Sequence, residues 1–309
     1  MKFLEKALDQ QNQFWKYVIV IFAAILGGLI LGNIPLACVI LYKRIVSGGN
    51  IVFNPDNNID FSIYGISKNY AFLLLMLSFV VILLISIVLI KVLHKRSFAE
   101  TVNGTKKVRI NRCLTGAAVW AILIAIYYLG DYFINPGDYQ LQFNLSAFIP
   151  LLFISFIMIP IQTTSEEFLF RGYLTQGFAG WTKNRWLAIL IPGLLFGLLH
   201  FSNPEVKEFG FLVSMSQYVF MGLLFGLVAV LDDGIELAMG MHAANNLFLS
   251  LFVTHSASAF QTDAVFEQLR VIPVKDTISI IVIGIIAFAF FTWKYKWNFS
   301  ILNHKIIKV

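Results

Sequence analysis

The chain has 309 residues, of which 58% are hydrophobic, 15% aromatic and only 13% charged, against about 25% charged in an ordinary soluble domain. That balance excludes a soluble globular protein. The net charge of +6 calls for no nucleic-acid partner, because the lysines and arginines flank apolar runs, as the positive-inside bias of membrane proteins requires.

Windows of about 20 apolar residues predict eight spans, at 17–42, 70–93, 113–133, 148–177, 186–203, 211–231, 235–254 and 277–293. The fold class expected is therefore all-α: a polytopic membrane protein of about eight transmembrane helices. Met1–Lys16 mixes Lys2, Lys6 and Lys16 with Glu5 and Asp9, and the apolar run from Tyr17 is too long for a signal-peptide core, so the first span is retained. Gly27, Gly28 and Pro35 predict a kink in it, and Pro160 predicts a bend in the fourth span. Segment 43–69 reads as an extramembrane loop. Cys38 and Cys113 lie in or beside apolar segments and imply neither a disulfide framework nor a cysteine metal site.

The 94–112 connection carries Lys95, Arg96, Lys106, Lys107, Arg109 and Arg112 against Glu100, which places it in the cytoplasm. Alternation from there puts both termini, the 178–185 loop and the Asp232-Asp233-Gly234 turn on that side. The chain divides into an N-terminal part with three spans (1–147), a central part (148–254), and an outer loop, last span and basic tail (255–309).

Two adjacent carboxylates and a guanidinium lie inside the fourth span, in Glu166-Glu167-Phe168-Leu169-Phe170-Arg171. Each charge costs about 2.5–3.5 kcal/mol at a helix centre on insertion scales. Glu167 and Arg171, one turn apart, neutralise each other as a largely structural pair. Glu166 points about 100° away and has no local partner. Three histidines read as bland: His94 and His304 solvated, and His255 interfacial. His200 and His242 do not, and Asn246 lies one turn beyond His242. At about 1.5 Å rise per residue, Glu166, His200, His242 and Asn246 all fall near the middle of a bilayer about 30 Å thick. Glu166 can hold and deprotonate a water with His200 as hydrogen-bonding partner, and His242 with Asn246 can donate to an oxyanion. Gln162, Thr163, Thr164 and Ser165 could admit the water. Phe196, Gly193, Gly197, Gly222 and Gly226 read as packing residues. Two histidines and a glutamate could form a zinc site, but there is no His-Glu-x-x-His, and the expectation is that no metal or other cofactor is required.

The motifs Glu166-Glu167-x-x-x-Arg171, Phe196-x-x-x-His200 and His242-x-x-x-Asn246, with Phe170-Arg171-Gly172-Tyr173 and the Gly222 to Gly226 stretch, resemble the CPBP family of intramembrane proteases. That family includes the CAAX prenyl proteases and bacterial bacteriocin-processing or immunity proteins. The resemblance covers about residues 148–250. It implies an eight-helix endopeptidase in which Glu166 and His200 activate water, His242 and Asn246 stabilise the oxyanion, and Glu167 and Arg171 support the site. Its partners would be the bilayer and a membrane-associated peptide or protein substrate. The Phe-, Ile- and Lys-rich composition suggests a bacterial plasma membrane, where a peptide pheromone or bacteriocin leader is a more plausible substrate than a prenylated tail. The competing class is a non-catalytic immunity or regulatory protein that binds a peptide or a partner membrane protein. A transporter is disfavoured by the lack of an evident repeat.

Overall fold

The computed structural model describes residues 2–8, 11–47 and 61–307. The middle of the expected 43–69 loop, 48–60, lies outside the described residues.

A short helix, Lys2–Glu5 (α1), precedes Phe14–Leu31 (α2) and Ile34–Ser47 (α3). The last two run on as one apolar stretch, Phe14–Val46, of 33 residues. They break at Gly32-Asn33, while Pro35 sits in the first turn of α3, where a missing N–H costs nothing. The glycines inside α2 serve contact: a Cβ at Gly27 would strike Ile85 and one at Gly28 would strike Ile82, both in the next helix, Lys68–His94 (α4).

Phe98–Asn103 (α5) opens with a capping box, in which Ser97 Oγ accepts from the Glu100 N–H at 3.3 Å and Glu100 Oε2 accepts from the Ser97 N–H at 2.9 Å. Then come Ile110–Ile134 (α6), Leu145–Glu167 (α7), a π-helical segment Phe168–Leu174, Thr175–Thr182 (α8), Arg185–Leu199 (α9), Pro204–Phe209 (α10), Phe211–Leu231 (α11), Glu236–Phe252 (α12) and Pro273–Tyr295 (α13). Among the described residues, the eight expected spans all appear as helices, in order. Six helical stretches are long and apolar enough to cross a membrane. The shorter ones are α9, with 15 residues, and α12, with 17. Besides Glu236 at its start, the polar letters that lower the hydropathy of α12 include those at the site: His242, Asn245 and Asn246.

The helices pack α12 against α6 and α7, α9 against α11, and α2 against α4. Two of these contacts are nearly backbone to backbone. A Cβ on Gly240 would strike the Cys113 carbonyl, and one on Gly222 would strike the Gly193 carbonyl, so the small residues set how closely α12 approaches α6 and α11 approaches α9. Gly193 and Gly222 are thus the packing residues expected. Large apolar side chains such as Ile30, Val88, Ile126, Phe153, Leu198 and Ile285 face outward, as they must in a protein whose outer solvent is lipid.

Both termini pack at one end of the bundle. The backbone N–H groups of Lys2 and Phe3 donate to the Asp233 carboxylate at 3.0 Å each, and Ile306 N–H donates to the Lys183 carbonyl. Phe3 and Leu4 are fully buried, each burial worth about 1.5–3 kcal/mol, which holds α1 against α8 and α5. The reading of His94 as solvated is corrected: it is buried at the end of α4 against the Tyr17 ring, with Nε2 2.6 Å from the Tyr173 hydroxyl. Arg96 is buried too, donating to Tyr17 Oη at 3.0 Å and Gln176 Oε1 at 3.2 Å. His304 is exposed, as expected.

The opposite end carries a small sheet absent from the expected architecture. Tyr139–Leu141 (β1), Val253–Thr254 (β2) and Phe266–Gln268 (β3) are ordered β1-β3-β2. β1 is antiparallel to β3, with Tyr139 opposite Gln268, and β2 is parallel to it. Glu205 in α10 ties in the loop beyond α12 by accepting from the Ala259 N–H at 2.7 Å. The helical class stands, with this sheet closing one end.

Candidate active site

Residues from α7, the π-helical segment, α9, α11 and α12 meet around the ring of Phe196. Its centroid lies 3.8 Å from the Arg171 guanidinium carbon, 4.7 Å from the His200 ring and 6.0 Å from the His242 ring. A buried guanidinium over an aromatic face gains cation–π energy where water is excluded. Phe196 is therefore at the centre of the site, and the packing reading of it understated its place.

Below this ring lies a buried charge group. Arg171 and Glu167 are both 0% exposed and pair at 3.0 Å. Glu167 Oε1 also accepts from the Nδ1–H of His242 at 2.8 Å. One carboxylate oxygen thus neutralises the guanidinium and fixes the His242 tautomer, leaving Nε2 as the free edge of the neutral ring. That Nε2 stands 3.6 Å from Glu166 Oε2, beyond hydrogen-bond length, and this oxygen has no hydrogen-bond partner. Glu166 is the less buried carboxylate of the two, its side chain 16% exposed.

The local fold explains the pairing. The segment Phe168–Leu174 is wound as a π-helix, and at its end Thr175 N–H reaches the Phe170 carbonyl, five residues back. Such turns are rare and frequent at functional sites. The expected fourth span is continuous from Leu145 to Thr182, and both Pro150 and Pro160 lie within α7.

His200 occupies the C-terminal cap of α9, just before Pro204 starts α10. The last turn tightens, with His200 N–H donating to Gly197 O at 3.0 Å, and the Phe196 carbonyl is taken by His200 Nδ1 at 2.8 Å. A histidine bonding a carbonyl of its own helix end is a usual capping device. It protonates Nδ1 and leaves Nε2 as an acceptor in the neutral ring. Among the described residues the imidazole within ion-pair range of Glu166 is that of His242, while His200 bonds the backbone through Nδ1 and keeps Nε2 free. Tyr218 of α11 stacks on His200 at 4.3 Å, with planes 21° apart, and its hydroxyl accepts from Asn203 Nδ2 at 3.0 Å.

Asn246 donates from Nδ2 to Gln162 Oε1 at 3.0 Å, joining α12 to the turn before Glu166. Two of the hydroxyls expected to admit water, those of Thr163 and Ser165, bond backbone carbonyls. Thr163 Oγ1 donates to Ile159 O at 3.0 Å and Ser165 Oγ to Gln162 O at 2.7 Å, both on their own helix. His255 is half-buried near Phe209, in the segment beyond α12.

The family described as Type II CAAX prenyl endopeptidase Rce1-like matches residues 145–248, the stretch that contains Glu166, Glu167, Arg171, His200, His242 and Asn246. The protein YyaK of Bacillus subtilis (strain 168), described as uncharacterized, is 31% identical over 296 residues, spanning 94% of this chain and 95% of that one. The chain belongs to the Rce1-like family. No solved structure matches it. The membership agrees with the resemblance read from the motifs, and with several apolar helices it makes this Rce1-like chain an integral membrane protein.

Among the described residues, no group of three or more His, Cys, Asp or Glu side chains is set to hold a metal ion. Three residues that touch these side chains or their neighbours escaped the sequence reading. Tyr218 and Trp120 look like any aromatic in an apolar helix. Asn245 stands beside Asn246 but about 100° round the helix, and only its neighbours across the interface reveal its part.

Proposed function

We propose that the protein is an intramembrane endopeptidase that hydrolyses a peptide bond of a membrane-associated peptide or protein, with Glu166 as the base that activates water. The observation that carries this reading is the contrast between the two glutamates. Glu167 is fully buried and spends Oε1 on both Arg171 and His242, whereas Glu166 is 16% exposed and stands beside His242 Nε2 with no guanidinium paired to it among the described residues.

A water held by Glu166 can also donate to the free Nε2 of His200. Glu166 takes one water proton as the oxygen bonds to the scissile carbonyl carbon. The resulting oxyanion is met by the second N–H of Asn246, one turn from His242, whose ring Glu167 holds in place through Nδ1. Glu166 then returns the proton to the leaving amine as the C–N bond breaks. Phe196, Arg171 and Glu167 hold the imidazoles and exclude water from the buried side. This reaction uses no metal or other cofactor. The basic flanks of the spans support a topology with both termini in the cytoplasm of a bacterial plasma membrane.

The test is cleavage of a peptide library by detergent-purified protein, wild type beside Glu166→Gln and His200→Ala, with and without chelator. Cleavage lost in both variants and kept in chelator is expected. Cleavage lost in chelator and restored by zinc would overturn the metal-free scheme. Cleavage retained by Glu166→Gln would overturn the role of Glu166.

A further inference from the structure

Several polar groups lie outside the reacting residues: the buried His94–Tyr173 pair, the Asp232–Arg109–Glu236 network, and a row of side chains running from α6 to Asn246. Only the row reaches a residue of the proposed site. Trp120 Nε1–H donates to Asn245 Oδ1 at 3.1 Å, Asn245 Nδ2 donates to Asn246 Oδ1 at 3.1 Å, and Asn246 Nδ2 donates to Gln162 Oε1 at 3.0 Å. Trp120 is fully buried and Gln162 nearly so.

Three of these four side chains are carboxamides, and a carboxamide can be turned over with little change in shape. A row of them has two senses of donation that are almost isosteric. An indole N–H has no such freedom, because it donates and never accepts. Once Trp120 stands at the head of the row, Asn245 must face it with oxygen, so its NH2 faces Asn246. Asn246 must then answer with oxygen, so its own NH2 faces Gln162. The reverse sense would set the indole N–H against an NH2 group. We infer that Trp120, acting through Asn245, sets which way the Asn246 carboxamide faces, and so makes Asn246 present an N–H to the reacting centre instead of an oxygen.

The consequence for the proposed hydrolysis, on which this inference rests for its purpose, is direct. Of the two Asn246 N–H bonds, one is spent on Gln162 and one remains to donate. Turned over, Asn246 would offer a lone pair to an oxyanion and repel it. Trp120 and Asn245 touch no reacting atom and are positioning residues. They reach each other because α6 and α12 approach through Gly116 and Gly240: a Cβ on Gly116 would strike the Leu237 carbonyl, and Gly116 lies one turn before Trp120.

The experiment replaces Trp120 in the full-length protein by β-(3-benzothienyl)alanine, which keeps the bicyclic shape and puts sulfur where the N–H was. 5-Fluorotryptophan at the same position, which keeps the N–H, is the rescue. Side-chain amides of asparagine are followed by nitrogen-15 resonance in detergent. The Asn246 NH2 signals should shift or split into two populations with the sulfur analogue and return with the fluoro analogue, at unchanged melting temperature. On a cleaved peptide, kcat should fall, by up to the roughly 10²–10³-fold that losing an oxyanion donor costs, with KM unchanged. Asn246 signals that ignore the loss of the N–H would overturn the inference, as would moved signals with kcat unchanged. If the wild type cleaves nothing, the resonance shifts still decide the orientation of Asn246, and the proposed hydrolase alone falls.

Discussion

The hydroxyl of Tyr173 lies 2.6 Å from Nε2 of His94, inside the bundle. Tyr17 stacks on the Tyr173 ring at 4.2 Å, with planes 17° apart, so the end of α4 and the start of α2 both grip the π-helical segment from behind. Replacing Tyr173 by Phe keeps the stack and removes the hydroxyl, leaving a buried imidazole nitrogen without that partner. The expected loss is about 1–3 kcal/mol, read as a lower melting temperature in detergent.

Arg171 is expected to behave as half of a unit. Arg171→Met strands the fully buried Glu167 and should cost about 3–5 kcal/mol, while adding Glu167→Gln restores a neutral site and recovers part of it. Thermal unfolding of the single and double variants checks this. A double variant no more stable than Arg171→Met would sink the idea.

Glycine substitutions in α6 and α12 should part company. Gly240→Ala drives a methyl into the Cys113 carbonyl and separates the helices, at a cost of about 1–3 kcal/mol. Gly130→Ala, whose new Cβ meets nothing, should instead stabilise α6 by about 0.5–1 kcal/mol. Melting temperatures that move the same way in both would contradict the packing described.

Asp232 sits at the C-terminal cap of α11, between Arg109 at 3.2 Å and Arg112 at 3.4 Å. Burial pushes its carboxyl up to about 6, against the pull of the two arginines. A carboxyl that binds its proton more tightly when folded contributes stability that is present below the unfolded value, about 3.9, and lost as pH rises through 6. Relative to Asp232→Asn, the wild type should therefore lose up to about 3 kcal/mol between pH 4 and pH 7. Unfolding of both proteins across that range gives the difference.

The spans were legible because lipid demands the same thing of every outward side chain, and runs such as Phe72–Ile90 state it without ambiguity. The six polar residues of the site were legible for the opposite reason, since charge at that depth has few other uses. His94 misled because a letter in a basic stretch suggests solvent, and nothing local reveals that Tyr17 and Tyr173 enclose it. Strands of two or three residues, such as Val253–Thr254, leave no period to read. That His200 gives Nδ1 to the Phe196 carbonyl was not legible, because it depends on where α9 ends.

The π-helical turn acts as a phase setter along the longest helix of the site. Such a turn holds one residue more than the α-turn it replaces, and each residue rotates the remainder of the helix by about 100°. Dropping a single residue between Phe168 and Leu174 would keep Tyr173 against His94 only by swinging Gln162, Glu166 and Glu167 off His242 and Asn246. In this helix a one-residue gap therefore weighs more than several exchanged letters. A related chain that preserves every motif but closes that gap would carry its glutamates toward a different neighbour.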